Sequence, residues 1–206
     1  MSGINTTIGF YNEHALQYAA GTLPSDMSRL HDDFLSLLPH CGVILDLGCG
    51  SGRDSRFFID RGYSVVAVDG SMELCRLAAK TIGQPVVCRD FREYEPEDPL
   101  VGIWACASLL HLTPEEISGV VNRLAVHLIP GGCFYMSFKY GTFSGERNER
   151  FYTDMNETSL LRLLDSIPAL SLIRQKVTED VRPGHAGEKW LNVFCKKLNQ
   201  RQDDLI

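Results

Sequence analysis

No run of about eighteen apolar residues occurs in the 206-residue chain, so the sequence offers no membrane-spanning helix. Basic residues are in the minority. Against 26 Asp and Glu stand 20 Lys and Arg, and the net charge of −6 removes long-range attraction to a phosphate backbone and disfavours a nucleic-acid partner. The seven cysteines (41, 49, 75, 88, 106, 133 and 195) are scattered, odd in number and never spaced C-x-x-C. That argues against a disulfide framework and a structural zinc site, and no metal is expected. From Met1 to Ile8 there is no basic stretch leading into an apolar run, so a cytoplasmic location is expected. Internal repeats and low-complexity segments are missing as well. What is present, 44% apolar and 22% charged residues, is a globular composition, and a chain of this length can bury roughly 70% of its unfolded surface.

Apolar runs alternate with amphipathic segments, the pattern of an α/β protein with a mostly parallel sheet. Strands are predicted near 43–47, 64–69, 85–88, 102–107, 131–138, 170–177 and 190–196. Helices are predicted near 52–61, 72–82, 114–128 and 157–166, with an N-terminal amphipathic helix near 25–38. Thr113-Pro-Glu-Glu116 places an N-cap hydroxyl, a proline and a reciprocal acid at the spacing of a capping box, and Ser71 is placed to cap in a similar way. Pro130-Gly-Gly132 is expected to stop the long helix ahead of the fifth strand. The chain then divides into a lid segment and helix over 1–40, a main domain over 41–198 and a fraying tail over 199–206, one domain in all. Phe138 to Asn156 remains a polar connection.

The segment Val43-Ile-Leu-Asp-Leu-Gly-Cys-Gly-Ser-Gly-Arg-Asp54, followed by Tyr63-Ser-Val-Val-Ala-Val-Asp69, joins a buried strand, a glycine turn, a helix and a second strand ending in an acid. Gly48, Gly50 and Gly52 let the backbone turn sharply and approach a ligand, and Asp69 is placed to accept from two ribose hydroxyls. A pyrophosphate-binding turn is spaced G-x-G-x-x-G; here the third glycine position of that pattern is Arg53, and Asp46 precedes the turn. An acid there repels a pyrophosphate and suits an ammonium. A ribose, no phosphate and a cationic amino-acid end describe S-adenosylmethionine.

At these residues the chain resembles the class I S-adenosylmethionine-dependent methyltransferases. Within them it is similar to small bacterial enzymes related to tellurite-resistance proteins, which share the Gly-Cys-Gly-Ser-Gly-Arg-Asp turn and the Ala-Val-Asp-Gly-Ser after the second strand. The resemblance implies a Rossmann-like seven-stranded sheet with its last strand antiparallel and helices on both faces. It also implies S-adenosylmethionine as cofactor and S-adenosylhomocysteine as product. Asp46 would support the methionine ammonium, Cys49, Arg53, Gly70 and Ser71 would join the glycines and Asp69 around the cofactor, and Asp90-Phe91 would hold the adenine. Ala105-Cys-Ala-Ser-Leu-Leu-His111 corresponds to the floor beneath cofactor and substrate, with Ala107 against the cofactor; neither an Asn/Asp-Pro-Pro-aromatic turn nor a Pro-Cys nucleophile of base methylation is there.

His111 is the candidate proton acceptor, weighed against a role in filling the pocket rim. Phe10 to Tyr18 resembles the aromatic segment that folds over the cofactor in small-molecule methyltransferases, and Tyr11 is the candidate lid residue. Lys139, Arg147 and Arg150, within one loop, are candidates to grip an anionic group of a substrate. The leading expectation is methyl transfer by in-line displacement to a small cytosolic molecule. An RNA target such as a tRNA base, and a non-catalytic cofactor-binding module, are the alternatives carried forward; oligomeric state is left open.

Overall fold

Short aliphatic and β-branched runs punctuated by glycine turns form strands in the computed structural model, which describes residues 3–182 and 184–198, with side chains from residue 6. The tail over 199–206 lies outside the described residues. In chain order the strands are β1 (Val43–Leu47), β2 (Ser64–Asp69), β3 (Val87–Cys88), β4 (Leu100–Ala105), β5 (Leu128–Lys139), β6 (Ser144–Arg147), β7 (Arg150–Thr153), β8 (Leu170–Glu179) and β9 (Lys189–Lys197). Seven of them build one sheet in the order β3-β2-β1-β4-β5-β9-β8, parallel throughout except for β9, which runs antiparallel to both β5 and β8. Strand order reverses between β1 and β4. In an open α/β sheet the ligand crevice lies beyond the carboxyl ends of the strands at that point.

The helices are α1 (Gly3–Glu13), α2 (Ala15–Thr22), α3 (Ser28–Leu35), α4 (Arg53–Asp60), α5 (Met72–Ile82), α6 (Pro114–Ala125) and α7 (Glu157–Asp165). Side chains alternate across the strands, so the sheet has two buried faces. Leu45, Ile103 and Phe134 join α6 and α7 on one; Ile44, Trp104 and Tyr135 join α3, α4 and α5 on the other. The second face is aromatic, with Trp104 stacked on Tyr135 at 3.8 Å and Phe34 and Phe58 against Trp104. The two predicted caps form: Thr113 and Glu116 complete a capping box on α6, and Ser71 Oγ accepts from the Leu74 amide at 3.2 Å.

Several boundaries differ from the sequence expectation for physical reasons. Two helices occupy the N-terminal segment that periodicity left unassigned; Gly9 and Gly21 weaken their intrinsic propensity, and packing on α5 and β7 supplies the order. The helix predicted over 25–38 is confined to Ser28–Leu35, since Pro39 disfavours helical backbone at Leu38. Helix α6 ends at Ala125, well before Pro130, which falls inside β5: pairing with β4 jumps from Leu100↔Leu128 to Gly102↔Cys133, and the bulge takes up the proline. The expected polar connection is a hairpin of β6 and β7. Asn148 and Glu149 turn it with φ of 50° and 61° and Arg147 pairs with Arg150.

Candidate active site

The glycine turn leaves β1 at its carboxyl end. Gly48 has a φ of +78°, and a Cβ there would stand 2.4 Å from Ser108 Cβ, so only glycine fits. Gly50 follows with φ +56°. Asp69, at the end of β2 and buried, ties this turn to the next: Oδ2 accepts from the Gly50 amide and Oδ1 from the Ser71 amide, both at 2.8 Å. Burial raises its pKa and those amides oppose the rise; each oxygen keeps a lone pair for another donor.

Gly48, Gly50, Asp69, Gly70 and Ser71 form one side of a cavity of about 510 Å³, solvent-open part included. Asp90, Phe91, Ala107 and Ser108 form the other. Ser108 Oγ is buried in this wall without a hydrogen-bond partner, an orphan that a ligand oxygen or nitrogen would satisfy. Sequence reasoning passed over Ser108, because one serine in an apolar stretch carries no spacing signal. A glycine cradle, a buried acid at a strand end and an apolar ring across from them fit S-adenosylmethionine. Ala107 adds backbone strain at this spot, with φ +52° on a non-glycine residue and its amide donating to Ser137 Oγ at 2.9 Å.

Four residues expected at the cofactor do not line this cavity. Asp46 lies beneath the turn and accepts from Ser55 Oγ at 2.5 Å; burial and the neighbouring Asp54 hold its carboxyl above the usual range. Cys49 is buried away from the cavity, and burial pushes its thiol up. Gly52 opens α4 with φ +82°, where a Cβ would meet Ala78 Cα at 3.1 Å, so its role is close helix packing. Arg53 lines a different cavity. Its fork closes on Asp54 at 2.7 and 2.9 Å, and Asp54 also accepts from Trp104 Nε1 and pairs with His31, both at 2.9 Å. Although burial opposes it, Arg53 and His31 draw the Asp54 pKa far below the carboxylate range. Asp90 keeps its place in the cofactor wall but is gripped by Arg92 at 2.6–3.1 Å, which leaves it fewer free lone pairs for an adenine.

A second cavity, about 800 Å³ with its open part, adjoins the first. Tyr11, Tyr18, Ala107 and His111 belong to both. His111 Nδ1 lies 2.7 Å from the Phe151 carbonyl, which only accepts, so Nδ1 carries the ring proton. Nε2 is then the bare nitrogen and receives the Tyr11 hydroxyl proton at 2.9 Å. Burial lowers the His111 pKa to about 4, with Arg150 and Arg147 adding to the effect, so the ring is neutral at pH 7. Burial likewise raises Tyr11 to about 12. The hairpin β6–β7 holds His111 in place, a role invisible in the sequence because 40 residues separate the histidine from Phe151.

The three candidate substrate cations separate. Lys139 lines the second cavity but is paired with Glu188. Arg147 does not line it; both its η nitrogens donate to Asp154, at 3.0 and 2.6 Å. Arg150 does line it. Its guanidinium lies 4.3 Å over Phe10 and 5.4 Å from Tyr152, its Nε is buried without a partner, and its one contact to the Tyr11 oxygen is long at 3.4 Å. Since Arg53 and Arg182 are also paired, with Asp54 and Asp180, Arg150 is the one cavity cation without a carboxylate among the described residues. Asp180, His185 and Glu188 converge at the rim, yet Arg182 and Lys139 already neutralise the carboxylates, so we read an ion-pair cluster there.

Residues 44–132 match the family of methyltransferase domains. No curated protein matches the sequence. Among solved structures, the 1,6-didemethyltoxoflavin-N1-methyltransferase of Burkholderia thailandensis, bound to 1,6-didemethyltoxoflavin and S-adenosylhomocysteine, superposes with a TM-score of 0.74. It is 21% identical over 95% of this chain and 89% of its own. The N-methyltransferase NodS of Bradyrhizobium japonicum WM9, bound to S-adenosylhomocysteine, gives 0.67 at 13% identity over 91% and 98%. The glycopeptide N-methyltransferase MtfA with S-adenosylmethionine gives 0.65 at 18% over 85% and 88%. At such identities the likeness establishes the fold. That fold is the Rossmann-like one, and the methyltransferase-domain match covers its first part, from β1 to the start of β5. Among the described residues no helix is long and apolar enough to cross a membrane.

Proposed function

We propose that the protein methylates a small, anionic molecule held in the second cavity, with Arg150 gripping the anion and Tyr11 and His111 receiving the acceptor's proton. The observation that carries this reading is the junction of the two cavities at Tyr11, Tyr18, Ala107 and His111, with an unpaired guanidinium on the acceptor side. The resemblance to tellurite-resistance-related enzymes and the 1,6-didemethyltoxoflavin bound to one structural neighbour agree with an acceptor of this size.

When bound, S-adenosylmethionine would supply an activated methyl group, the acceptor providing the electron pair of the new bond and the sulfonium sulfur retaining that of the broken one. Gly48, Gly50 and Asp69 would hold the donor, and Phe91 would shield its ring. Alignment and exclusion of water contribute most, roughly 7–11 kcal/mol for orientation against about 3–5 for a general base. Tyr11 and His111 offer the proton route. The Tyr11 oxygen takes the acceptor's proton as its own passes to Nε2, and the imidazolium later returns it to water.

Transfer of a tritiated methyl group from S-adenosylmethionine into cell extract tests the proposal, with Asp69→Ala and Arg150→Ala as controls. Label in the small-molecule fraction that disappears in both variants is expected. Label in RNA or protein would replace the acceptor class, and no label despite cofactor binding would favour a non-catalytic module.

A further inference from the structure

The geometry around His111 points to a condition on the substrate that simple size and shape do not impose. The titratable and charged groups facing its ring are Tyr11 from α1, Tyr152 and Arg150 from β7 and Arg147 from β6. Asp69 acts on Tyr11 from the cofactor side. Arg147 is neutralised by Asp154, whereas Arg150 is not, and Arg150 reaches the proton route directly through the Tyr11 hydroxyl. An uncompensated guanidinium beside a buried imidazole opposes a second positive charge there, so with the cavity unfilled His111 is a poor proton acceptor.

We propose that Arg150 is a charge gate: an anionic group of the substrate, seated on its fork, cancels the positive potential over Tyr11 and Tyr152. His111 can then keep the proton released by an N–H or O–H acceptor on the same molecule. The idea rests on the methyltransferase reading above and narrows its substrate class to molecules that carry an anion together with an ionisable acceptor. A neutral molecule of the same outline fills the cavity but leaves the gate shut. Geometry favours the exchange. Among the described residues the 3.4 Å contact to Tyr11 is the only hydrogen bond of the Arg150 side chain, and a carboxylate or phosphate offers shorter charge-assisted bonds to the same fork. The aromatic lining, with Tyr18, Tyr152 and Trp190, suits a flat ring as carrier. The balance is closed: one proton leaves the acceptor and one arrives on Nε2, the positive charge given up by the methyl donor reappears on the imidazolium, and the substrate anion stays paired with Arg150.

Histidine-labelled protein saturated with S-adenosylhomocysteine permits a direct test by NMR titration of His111. Salicylate is the anionic probe and salicylamide its neutral counterpart. Salicylate should raise the proton affinity of His111 about tenfold, and salicylamide should leave it unchanged. Arg150→Gln should show the raised affinity without any ligand, lose the response and bind salicylate at least about tenfold more weakly. Arg150→Lys, which keeps the charge, should hold His111 at its wild-type value and covers the case in which Arg150→Gln fails to fold. An equal response to salicylamide, an unmoved His111 in Arg150→Gln, or no binding of salicylate at millimolar concentration to protein that binds S-adenosylhomocysteine would overturn the gate. Failure to bind S-adenosylhomocysteine would overturn the methyltransferase reading itself, and calorimetry separates the two.

Discussion

The two cavities are built on different principles. The glycine side of the first cavity draws its polar groups from two neighbouring stretches of chain, and the bond that closes it, from the Gly50 amide to Asp69, spans 19 residues. The acceptor side depends on the Tyr11–His111 contact, 100 residues apart, and on Arg150 reaching Tyr11 across 139. On the first side backbone conformation does the positioning, through positive φ and two amides on one carboxylate. On the second it is done by packing of α1 and the β6–β7 hairpin about a single imidazole. A strand, a turn and the next strand preserve the glycine side of the first cavity whenever they fold; the second cavity exists only after α1 and the hairpin have docked.

The contrast can be broken at the point where both sides share a support. Asp54, held by Arg53, His31 and Trp104, joins the start of α4 to α3 and β4. Asp54→Asn strands a buried guanidinium and should cost about 3–5 kcal/mol in urea denaturation. Gly48→Ala forces a Cβ onto Ser108 at positive φ and should cost about 2–4 kcal/mol, with S-adenosylhomocysteine binding lost by calorimetry.

Within the first cavity alone, Asp69→Ala removes the carboxylate proposed to accept from the ribose hydroxyls and should weaken S-adenosylhomocysteine by about 2–3 kcal/mol. Wild-type affinity in that variant would erase the distinction between the two sides. pH sharpens the acceptor side. Native His111 stays neutral down to about 4, while the unfolded ring takes a proton below its ordinary 6.5. The unfolded state therefore binds more protons in that window, and this contribution, complete above 6.5, is lost as pH falls towards 4. Between pH 7 and pH 5 the loss should be about 2 kcal/mol, and His111→Gln should flatten that part of the urea-midpoint profile. The smallest effect separates the two arginines. Arg147→Ala should cost about 1 kcal/mol of stability and spare salicylate binding, whereas Arg150→Ala should weaken salicylate and spare S-adenosylhomocysteine.

Legibility followed the same division. The strands β1 and β2, the glycine turn and the caps at Ser71 and Thr113 could be read because each rests on period-two alternation or on a residue type with a fixed backbone preference. Asp46 and Arg53 misled for the complementary reason: motif spacing places a residue along the chain but does not say which way its side chain turns. Ser55 and Asp54 captured them from the helix that follows. The hairpin at 144–153 escaped notice since its polar residues lack an apolar alternation, and α1 and α2 because glycines interrupt them.

By itself the sequence determined a mostly parallel α/β sheet and a glycine turn whose spacing suits a nucleoside without phosphate, since glycine positions, strand periodicity and one acid at a strand end are local properties of the chain. Only the tertiary structure decided which of three cations lines the second cavity without a carboxylate, which nitrogen of His111 is bare and which acids lie buried beneath the turn. Those outcomes depend on which partner each side chain meets when distant segments pack, and a buried charge takes the state that its neighbours can compensate.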